Sequence, residues 1–338
     1  MAGEWVLVTG GNGFVAKHCI LELFERGYRV RATVRSLARA AALRAVLQQH
    51  CPAAGSLELV EADLLQDAGW AEAVAGCDYV LHVASPVRFV LPKDEDEIIR
   101  PAREGSLRVL RAAHSGGVKR VVLTSSLAAV CDGYPQREQP FDENDWSRLD
   151  KLDTYSKSKT LAERAAWDYI HGHENVRGMQ LAVINPGFIF GPLLDTSYNA
   201  SSDPIRKILA RELPGLPHMM MTIVDVRDVA SAHLAAMTTP AAAGQRFCCT
   251  TTSLWMREIA LVLKGAGYRV PSAGLPNLLV RLAGLFDPEV KASLPGLDLR
   301  YHVSTERIQR VLAWTPRPAE EAILALAQSM VQLGLVRA

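Results

Sequence analysis

The sequence lacks the features that mark nucleic-acid-binding, secreted and membrane-spanning proteins. Its 37 basic and 36 acidic residues give a formal net charge of only +1, so no excess positive charge favours nucleic acid or an anionic membrane. No apolar run reaches the roughly 20 residues that a membrane helix needs. The N-terminal segment MAGEWVLVTGG has no basic region followed by a long apolar core. We therefore expect a cytoplasmic protein.

Cysteine is scarce, and its spacing fits neither a disulfide framework nor a metal site. Of the six cysteines only the last two are adjacent, and no Cys-x-x-Cys or Cys/His pair has the spacing of metal ligands. The sequence also has no internal repeat and no low-complexity tract. We therefore expect no bound metal and free thiols at Cys19, Cys51, Cys77, Cys131, Cys248 and Cys249.

What the sequence does have is an alternation of strand-like and helix-like segments. Its 338 residues, 49% of them hydrophobic, are enough for about two domains. Over roughly the first 135 residues, short β-branched runs alternate with helix-period stretches such as 14–27 and 37–50. This order predicts an α/β fold with a doubly wound parallel (Rossmann) sheet. The predicted strands are 5–10, 29–35, 57–63, 78–84, 120–126 and 180–187.

The chain becomes less regular after the sixth predicted strand. The segments that follow are richer in Pro, Gly and Met, and a more ordered segment separates them. We therefore predict a dinucleotide-binding Rossmann domain formed by residues 1–190 and 223–250. Residues 191–222 and 251–338 form a predicted smaller C-terminal substrate lobe, closed by a packing helix at 319–334.

A glycine-rich turn follows the first predicted strand. The segment TGGNGFVA reads as Gly10-x-x-Gly13-x-x-Ala16 or as Gly11-x-Gly13-x-x-Ala16. Glycines there let a pyrophosphate touch the backbone, and the helix that follows points free N–H groups at the anion. The turn predicts a dinucleotide bound by Thr9, Gly10, Gly11, Asn12, Gly13, Phe14 and Val15. The alternative is a tight strand-to-helix turn without a ligand.

The end of the second predicted strand bears on the choice of dinucleotide. NAD-binding folds usually present Asp or Glu there to the ribose 2′-hydroxyl, whereas this chain presents Arg35. A guanidinium can pair with a 2′-phosphate in bidentate geometry, with Arg39 or Arg44 as helpers. We therefore predict NADP(H) as the cofactor. In the alternative interpretation, Arg35 is only a solvated residue at a strand end.

Two further segments carry candidate catalytic groups. TYSKSK places Tyr155 and Lys159 four positions apart, and therefore on one face if the segment is helical. A Tyr-x-x-x-Lys pair alone is a weak signal, since chance and surface decoration also produce it. Ser126 lies upstream, at the end of the fifth predicted strand. Together with the glycine turn, these residues resemble the extended branch of the short-chain dehydrogenase/reductase superfamily.

Longer segments narrow the resemblance. TSSLAAV, NPGFIFGP, DVRDVASAHLAAM and RVLAWTPRPAEEAI are similar to the dihydroflavonol-reductase-like group, which also holds cinnamoyl-CoA reductases and broad-range aldehyde or ketone reductases. The similarity runs from about residue 5 to residue 334 and is weak over 195–222 and 250–300. We expect the residues that determine substrate specificity to lie in those two regions of weak similarity.

The resemblance implies that Ser126, Tyr155 and Lys159 are the catalytic residues. A tyrosine hydroxyl has a pKa near 10 in water, and we expect Lys159 and the positive nicotinamide of the oxidised cofactor to lower it. Tyr155 would then be the general acid for carbonyl reduction, or the base for alcohol oxidation. Ser126 would hydrogen-bond the substrate carbonyl, and Lys159 would also hold the nicotinamide ribose. Ser125, in the same turn, is the alternative hydroxyl.

The resemblance also assigns cofactor and substrate contacts. Asp63 and Leu64 match the positions that contact adenine. The other matching cofactor positions lie at strand ends and are His82, Val83, Ala84, Ser85, Thr124, Pro186 and Gly187. Val87, Phe89 and Cys131 lie near the expected substrate. Plant flavonoid enzymes usually hold a polar amide or acid where this chain has Cys131, which argues against a strictly flavonoid substrate.

These assignments predict an NADPH-dependent reductase, or reversible dehydrogenase, of apolar or aromatic aldehydes or ketones. Its expected partner is a small-molecule carbonyl or alcohol, with no nucleic acid and no membrane, in a monomer or homodimer. One alternative is a hydroxysteroid dehydrogenase or a nucleotide-sugar epimerase or dehydratase on the same fold. Sugar-nucleotide enzymes generally retain NAD through an acidic second strand end, which Arg35 contradicts. The other alternative is a non-catalytic NADP-binding sensor, a class that typically loses the tyrosine.

Overall fold

The structure, a computed structural model, describes residues 3–85, 94–197 and 199–337. The strands in these ranges are β1 Trp5–Val8, β2 Arg29–Val34, β3 Glu58–Glu61, β4 Tyr79–His82, β5 Arg120–Thr124, β6 Gln180–Pro186, β7 Phe188–Phe190, β8 Met220–Asp225, β9 Arg246–Cys249 and β10 Thr252–Trp255. The helices are α1 Phe14–Glu25, α2 Ala40–Gln48, α3 Trp70–Val74, α4 Asp96–Ser115, α5 Thr154–His171, α6 Asp203–Leu209, α7 Val226–Thr238, α8 Met256–Gly265, α9 Asn277–Ala283, α10 Pro288–Ser293, α11 Glu306–Leu312 and α12 Ala319–Gln332.

The main sheet is parallel and doubly wound. Its seven strands lie in the order β3-β2-β1-β4-β5-β6-β9, so the winding reverses between β1 and β4. Both β2 and β4 pair in parallel with β1. In such sheets the carboxyl ends of the two strands at the reversal open a crevice for a ligand. The predicted fold class is confirmed, and the glycine turn after β1 lies at this crevice.

Neighbouring residues of β1 show how the core divides into two layers. Val6 and Val8 belong to the hydrophobic cluster shared with α1 and α7, whereas Leu7 belongs to the cluster shared with α4 and α5. All three are fully buried. Because successive strand residues point to opposite faces, a continuous apolar run of this kind indicates a strand covered by helices on both sides.

A second, three-stranded sheet follows β6, in the order β10-β8-β7. In it β7 runs parallel to β8, and β10 runs antiparallel to β8. Its core is shared with α6, α8 and α12. The division of the chain into two domains stays a prediction; β9 returns to the main sheet beside β6, and β8 lies in the small sheet.

The structure adds elements that the sequence patterns did not predict. The strands β7, β8, β9 and β10 have three to six residues each and lack a clear alternation. The six predicted strands are present, each shorter than predicted by one to three residues. None of the helices in the described part of the chain is long and apolar enough to cross a membrane.

Candidate active site

The glycine turn places backbone at the sheet crevice. Gly10 has φ +70°, and a Cβ there would meet the Cβ of Ala84 at 3.0 Å. The Gly10 N–H donates to the Thr33 hydroxyl at 2.9 Å, and the Gly11 N–H donates to the Thr33 carbonyl at 2.8 Å. These bonds fix the turn against β2. Side chains larger than hydrogen would be strained at Gly10, which lies in the left-handed region of φ.

The N-terminus of α1 is suited to an anion. The helix begins at Phe14 after Gly13, with no side-chain cap and no acidic residue in its first turn. Its first N–H groups and the positive end of its dipole therefore meet no carboxylate from the first turn of the helix itself. This donor set fits the pyrophosphate of a dinucleotide.

Thr9 joins the two strands that border the crevice. Its Oγ1 accepts hydrogen bonds from the N–H groups of Val83 at 3.1 Å and Ala84 at 2.9 Å. It also lies 2.9 Å from Nδ1 of His82. Since its two acceptor sites are used, the Thr9 hydroxyl donates to Nδ1, and the proton of the neutral imidazole lies on Nε2. The predicted positions Thr9, Val83 and Ala84 are thus brought together, with Ser85 following Ala84 in the chain.

His82 carries a donor that has no partner in the residues that the structure describes. Its Nε2 is fully buried and makes no hydrogen bond there. Burial, together with the positive charge of Lys159, lowers the pKa of His82 to about 3. The imidazole is therefore neutral at physiological pH and offers one N–H inside the crevice region.

The predicted adenine-side residues lie at the ends of β2 and β3. Arg35 directly follows β2 and is exposed. Arg44 is one of two residues predicted to assist Arg35 at the 2′-phosphate. Its guanidinium instead donates to the Leu57 carbonyl at 3.1 and 3.0 Å. Asp63 caps its own turn by accepting from the Leu65 N–H at 2.9 Å. Leu64 follows it and packs against the hydrophobic cluster shared with α4 and α5.

The catalytic candidates meet at the start of α5. Asp153 caps this helix by accepting from the Ser156 N–H at 2.9 Å. Tyr155 lies in the first turn and Lys159 one turn later, as the spacing predicts. The Ser126 hydroxyl accepts from the Ala128 N–H at 3.1 Å and is near enough to the Tyr155 phenol to lower the pKa of that group. The three predicted residues therefore form one cluster beside the carboxyl end of β5.

Two hydroxyls near Ser126 are turned away from Tyr155. The Ser125 hydroxyl donates to the buried carboxylate of Glu163 at 2.5 Å. The Thr124 hydroxyl lies 2.6 Å from Nε2 of His233 on α7. Of the two serines considered from the sequence, Ser126 is the one whose hydroxyl acts on the pKa of the Tyr155 phenol.

The pKa of Tyr155 is raised in the chain by itself. Although 40% of the residue surface is exposed, desolvation of the hydroxyl raises its pKa above the ordinary value, and the Ser126 hydroxyl opposes this effect. The expected lowering referred to Tyr155 with Lys159 and the positive nicotinamide together, so it stays a prediction for the cofactor-bound enzyme. Burial also lowers the pKa of Lys159 to about 8, against the nearby negative charge of Glu163.

An acidic side chain that we did not predict lies beside Tyr155. Asp132 accepts from the Ser156 hydroxyl at 2.7 Å, and burial raises the pKa of this carboxyl to about 6. Its charge contributes to the raised pKa of Tyr155. The only sequence signal for it was its place next to Cys131.

The predicted substrate residues are only partly described. Cys131 is buried, its thiol donates to the Leu127 carbonyl at 3.3 Å, and Tyr301 packs against the same cluster. Burial raises the pKa of the Cys131 thiol. Val87 and Phe89 lie outside the described residues.

Pro186 and Gly187 mark the point where the chain leaves the main sheet. Pro186 ends β6 and pairs with Cys249, and the Gly187 N–H donates to the Cys249 carbonyl at 3.2 Å. A Cβ on Gly187 would lie 2.1 Å from the Thr222 carbonyl oxygen. Only glycine therefore lets the main and small sheets approach here, at the carboxyl end of β6.

Known proteins resemble this chain over most of its length. The model of the NAD dependent epimerase/dehydratase family matches residues 6–248. Cinnamoyl-CoA reductase 1 of Petunia hybrida is 37% identical over 268 residues, which cover 78% of this chain and 77% of that protein. Dihydroflavonol 4-reductase of Zea mays is 32% identical over 292 residues, covering 83% and 78%. The structure of Gre2 from Candida albicans in complex with NADPH has a TM-score of 0.79 at 26% identity, covering 98% and 99%.

The chain belongs to the NAD dependent epimerase/dehydratase family, and within it to the dihydroflavonol-reductase-like extended short-chain dehydrogenases/reductases. The predicted family and the predicted oxidoreductase class are confirmed. The predicted cofactor agrees with the NADPH in the Gre2 structure. Within the described ranges, no group of three or more His, Cys, Asp or Glu side chains could hold a metal ion.

Proposed function

We propose that this protein is an NADPH-dependent reductase of apolar or aromatic aldehydes or ketones. The observation that carries the proposal is that Tyr155 and Lys159 lie one turn apart at the start of α5, with Ser126 just after β5 acting on the pKa of Tyr155. The cluster lies at the carboxyl edge of the sheet that also holds the uncapped start of α1. A proton donor and a dinucleotide cradle at one edge are what carbonyl reduction requires.

Each catalytic side chain has one task in the proposed reaction. NADPH, when bound, supplies the hydride. The Ser126 hydroxyl hydrogen-bonds the substrate oxygen and orients the carbonyl. Tyr155 donates its phenolic proton to that oxygen, and the raised pKa of the phenol keeps it protonated before transfer. The Lys159 ammonium stabilises the phenolate that remains, because opposite charges one helix turn apart attract strongly in a desolvated site.

The cofactor would lie along the crevice from β2 to β6. The first N–H groups of α1 would hold the pyrophosphate. Arg35 is exposed at the end of β2, where it would pair with the 2′-phosphate of NADP. The adenine contacts of Asp63 and Leu64, and the carboxamide contacts of Pro186 and Gly187, remain part of this proposal.

An apolar or aromatic substrate is supported by the apolar character of the segment that follows Ser126. The buried cluster after Ser126 contains Leu127, Val130, Cys131 and Phe141, with Tyr301 packed against it. Apolar and aromatic side chains are the usual lining of a small-molecule site. Relatives of this chain are named for reducing cinnamoyl-CoA and dihydroflavonol, which are aromatic compounds.

The proposal is tested by following NADPH oxidation, and separately NADH oxidation, with the purified protein. The carbonyl panel contains aryl aldehydes, aryl ketones, keto esters and a dihydroflavonol. We expect consumption that prefers NADPH and is largest with an aromatic carbonyl. Cofactor binding without turnover of any compound would contradict the proposal and would favour a sugar-nucleotide enzyme or a non-catalytic sensor.

A further inference from the structure

A buried carboxylate, that of Glu163, lies behind the catalytic trio. The side chain has no exposed surface. Its Oε2 accepts from the Ser125 hydroxyl at 2.5 Å and from Nδ2 of Asn185 at 2.7 Å. Its Oε1 accepts from Nε1 of Trp167 at 3.2 Å and lies 2.7 Å from Nε of Arg246. A buried carboxylate with this many partners is held in one orientation.

These contacts tie the catalytic helix to three strands of the main sheet. Ser125 follows β5, Asn185 lies in β6 and Arg246 begins β9. Nδ2 of Asn185 also donates to the Ser126 carbonyl at 3.1 Å. Glu163 therefore holds, through Asn185, the backbone of Ser126, whose hydroxyl acts on the pKa of Tyr155.

Arg246 is itself fixed by its surroundings. Its guanidinium lies 3.8 Å from the centre of the Trp146 ring and donates to the Asp145 carbonyl at 2.7 Å. The ion pair with Glu163 is buried on both sides. Removing one partner would leave the other charge buried without compensation, which is costly in proteins.

Glu163 also acts on Lys159 through its charge. It lies four residues later on α5, and it is the charge that raises the pKa of Lys159 against the opposing effect of burial. The Glu163 carboxylate accepts hydrogen bonds from Ser125 and Asn185. Its negative charge therefore acts on the Lys159 ammonium through space and not through a hydrogen bond. The buried face of α4, packed on α5, carries no titratable side chain in the described ranges. The titratable groups around the pair are Tyr155, His82, Arg246 and Cys248.

We propose that Glu163 is a positioning residue for the reduction, which fixes the Ser126 end of β5 and keeps the Lys159 ammonium charged at working pH. The catalytic meaning of this inference rests on the proposed function. Its electrostatic part concerns the chain alone and is testable without cofactor or substrate.

The test is competitive labelling of lysine amines with trace acetic anhydride across a pH series, read by mass spectrometry of the peptide that contains Lys159. The wild-type midpoint should lie at about 8. Glu163→Gln keeps the side-chain shape and removes the negative charge, so the midpoint should fall by about one pH unit. Lys157 is an internal reference in the wild type and in Glu163→Gln, since it pairs with Glu95 outside the site.

Two further variants separate the charge effect from loss of folding. Glu95→Gln removes a carboxylate from the neighbouring ion pair with Lys157 and should leave the Lys159 midpoint at its wild-type value. Glu163→Gln/Arg246→Gln leaves no unpaired buried charge, so it should fold better than the single variant while still showing the lowered midpoint.

An unchanged Lys159 midpoint in a folded Glu163→Gln or double variant would overturn the inference. In the active enzyme, the alkaline limb of kcat/KM should move to lower pH by the same amount, whereas a merely structural role would lower the rate at every pH. If wild-type protein reduced no carbonyl, the proposed function would fail, and the labelling midpoints would still decide the effect of Glu163 on Lys159.

Discussion

The Thr9 hydroxyl lies 2.9 Å from Nδ1 of His82 and joins the ends of the first and fourth strands. The same oxygen accepts the backbone N–H groups of Val83 and Ala84. One side chain thus holds together the two strand ends between which the sheet reverses its winding. The position of the crevice depends on this contact as well as on the glycine turn.

Replacing Thr9 with Val should destabilise the fold. Valine keeps the branched shape but leaves the Ala84 N–H and the Nδ1 of His82 without this partner, while the Val83 N–H keeps its 3.2 Å hydrogen bond to the Leu81 carbonyl. Buried polar groups left unpaired cost about 1–3 kcal/mol each, so we expect a loss of about 2 kcal/mol in the free energy of unfolding. Urea denaturation measures it. Thr9→Ser is the control because it restores the hydroxyl; equal stability of the Val variant and the wild type would contradict the assignment.

Arg35 should control the choice between the two nicotinamide dinucleotides. Arg35→Asp replaces the cation that would meet the 2′-phosphate with an anion, so the Kd for NADPH should rise about tenfold or more, with a much smaller change for NADH. Fluorescence titration with both cofactors checks this. Arg29→Asp makes the same charge change at the other end of β2, where Arg29 stacks on Trp5. A cofactor preference that Arg35→Asp leaves unchanged would show that this residue does not bind the phosphate.

Three buried histidines should make the protein less stable in acid. Burial lowers the pKa of His18 and His233 to about 4 and that of His82 to about 3. As pH falls below about 6.5, the unfolded chain binds these protons while the native chain does not. Stability is then lost by up to about 1.4 kcal/mol per pH unit for each histidine, until the native pKa is reached.

His18→Gln isolates one of these protons. His18 lies 3.0 Å from the Pro192 carbonyl through Nε2, a contact that a glutamine amide can replace. The unfolding free energy of this variant should fall less steeply between pH 6.5 and pH 4.5, by about one proton. His173→Gln, at an exposed position, is the matched control. Parallel pH curves for His18→Gln and the wild type would contradict the assigned cause.

Much of this site was predictable because its signals are local. The glycine turn and the Tyr155-x-x-x-Lys159 spacing each lie within one short segment, and parallel-strand topology brings them to one edge of the sheet. The four-residue spacing could also have predicted Glu163 as part of the site, since it lies one further turn along the helix face that holds Tyr155 and Lys159.

The features that were missed depend on contacts between distant segments. Arg246 pairs with Glu163 only because β9 returns to the main sheet after the excursion through β7 and β8. The direction of the pKa shift of Tyr155 depends on how much protein surrounds its hydroxyl. Sequence spacing does not contain that information, because desolvation is set by the whole fold.

The most direct test of the account compares wild-type protein with Tyr155→Phe, using an aromatic carbonyl substrate found in the panel. Phenylalanine keeps the ring and removes the proton that Tyr155 would donate, so we predict that NADPH-dependent reduction falls by about 100-fold or more. The Kd for NADPH should stay within about twofold of wild type, since the other cofactor contacts remain. Wild-type turnover by a Tyr155→Phe variant that binds NADPH normally would contradict the proposed role of Tyr155 as proton donor.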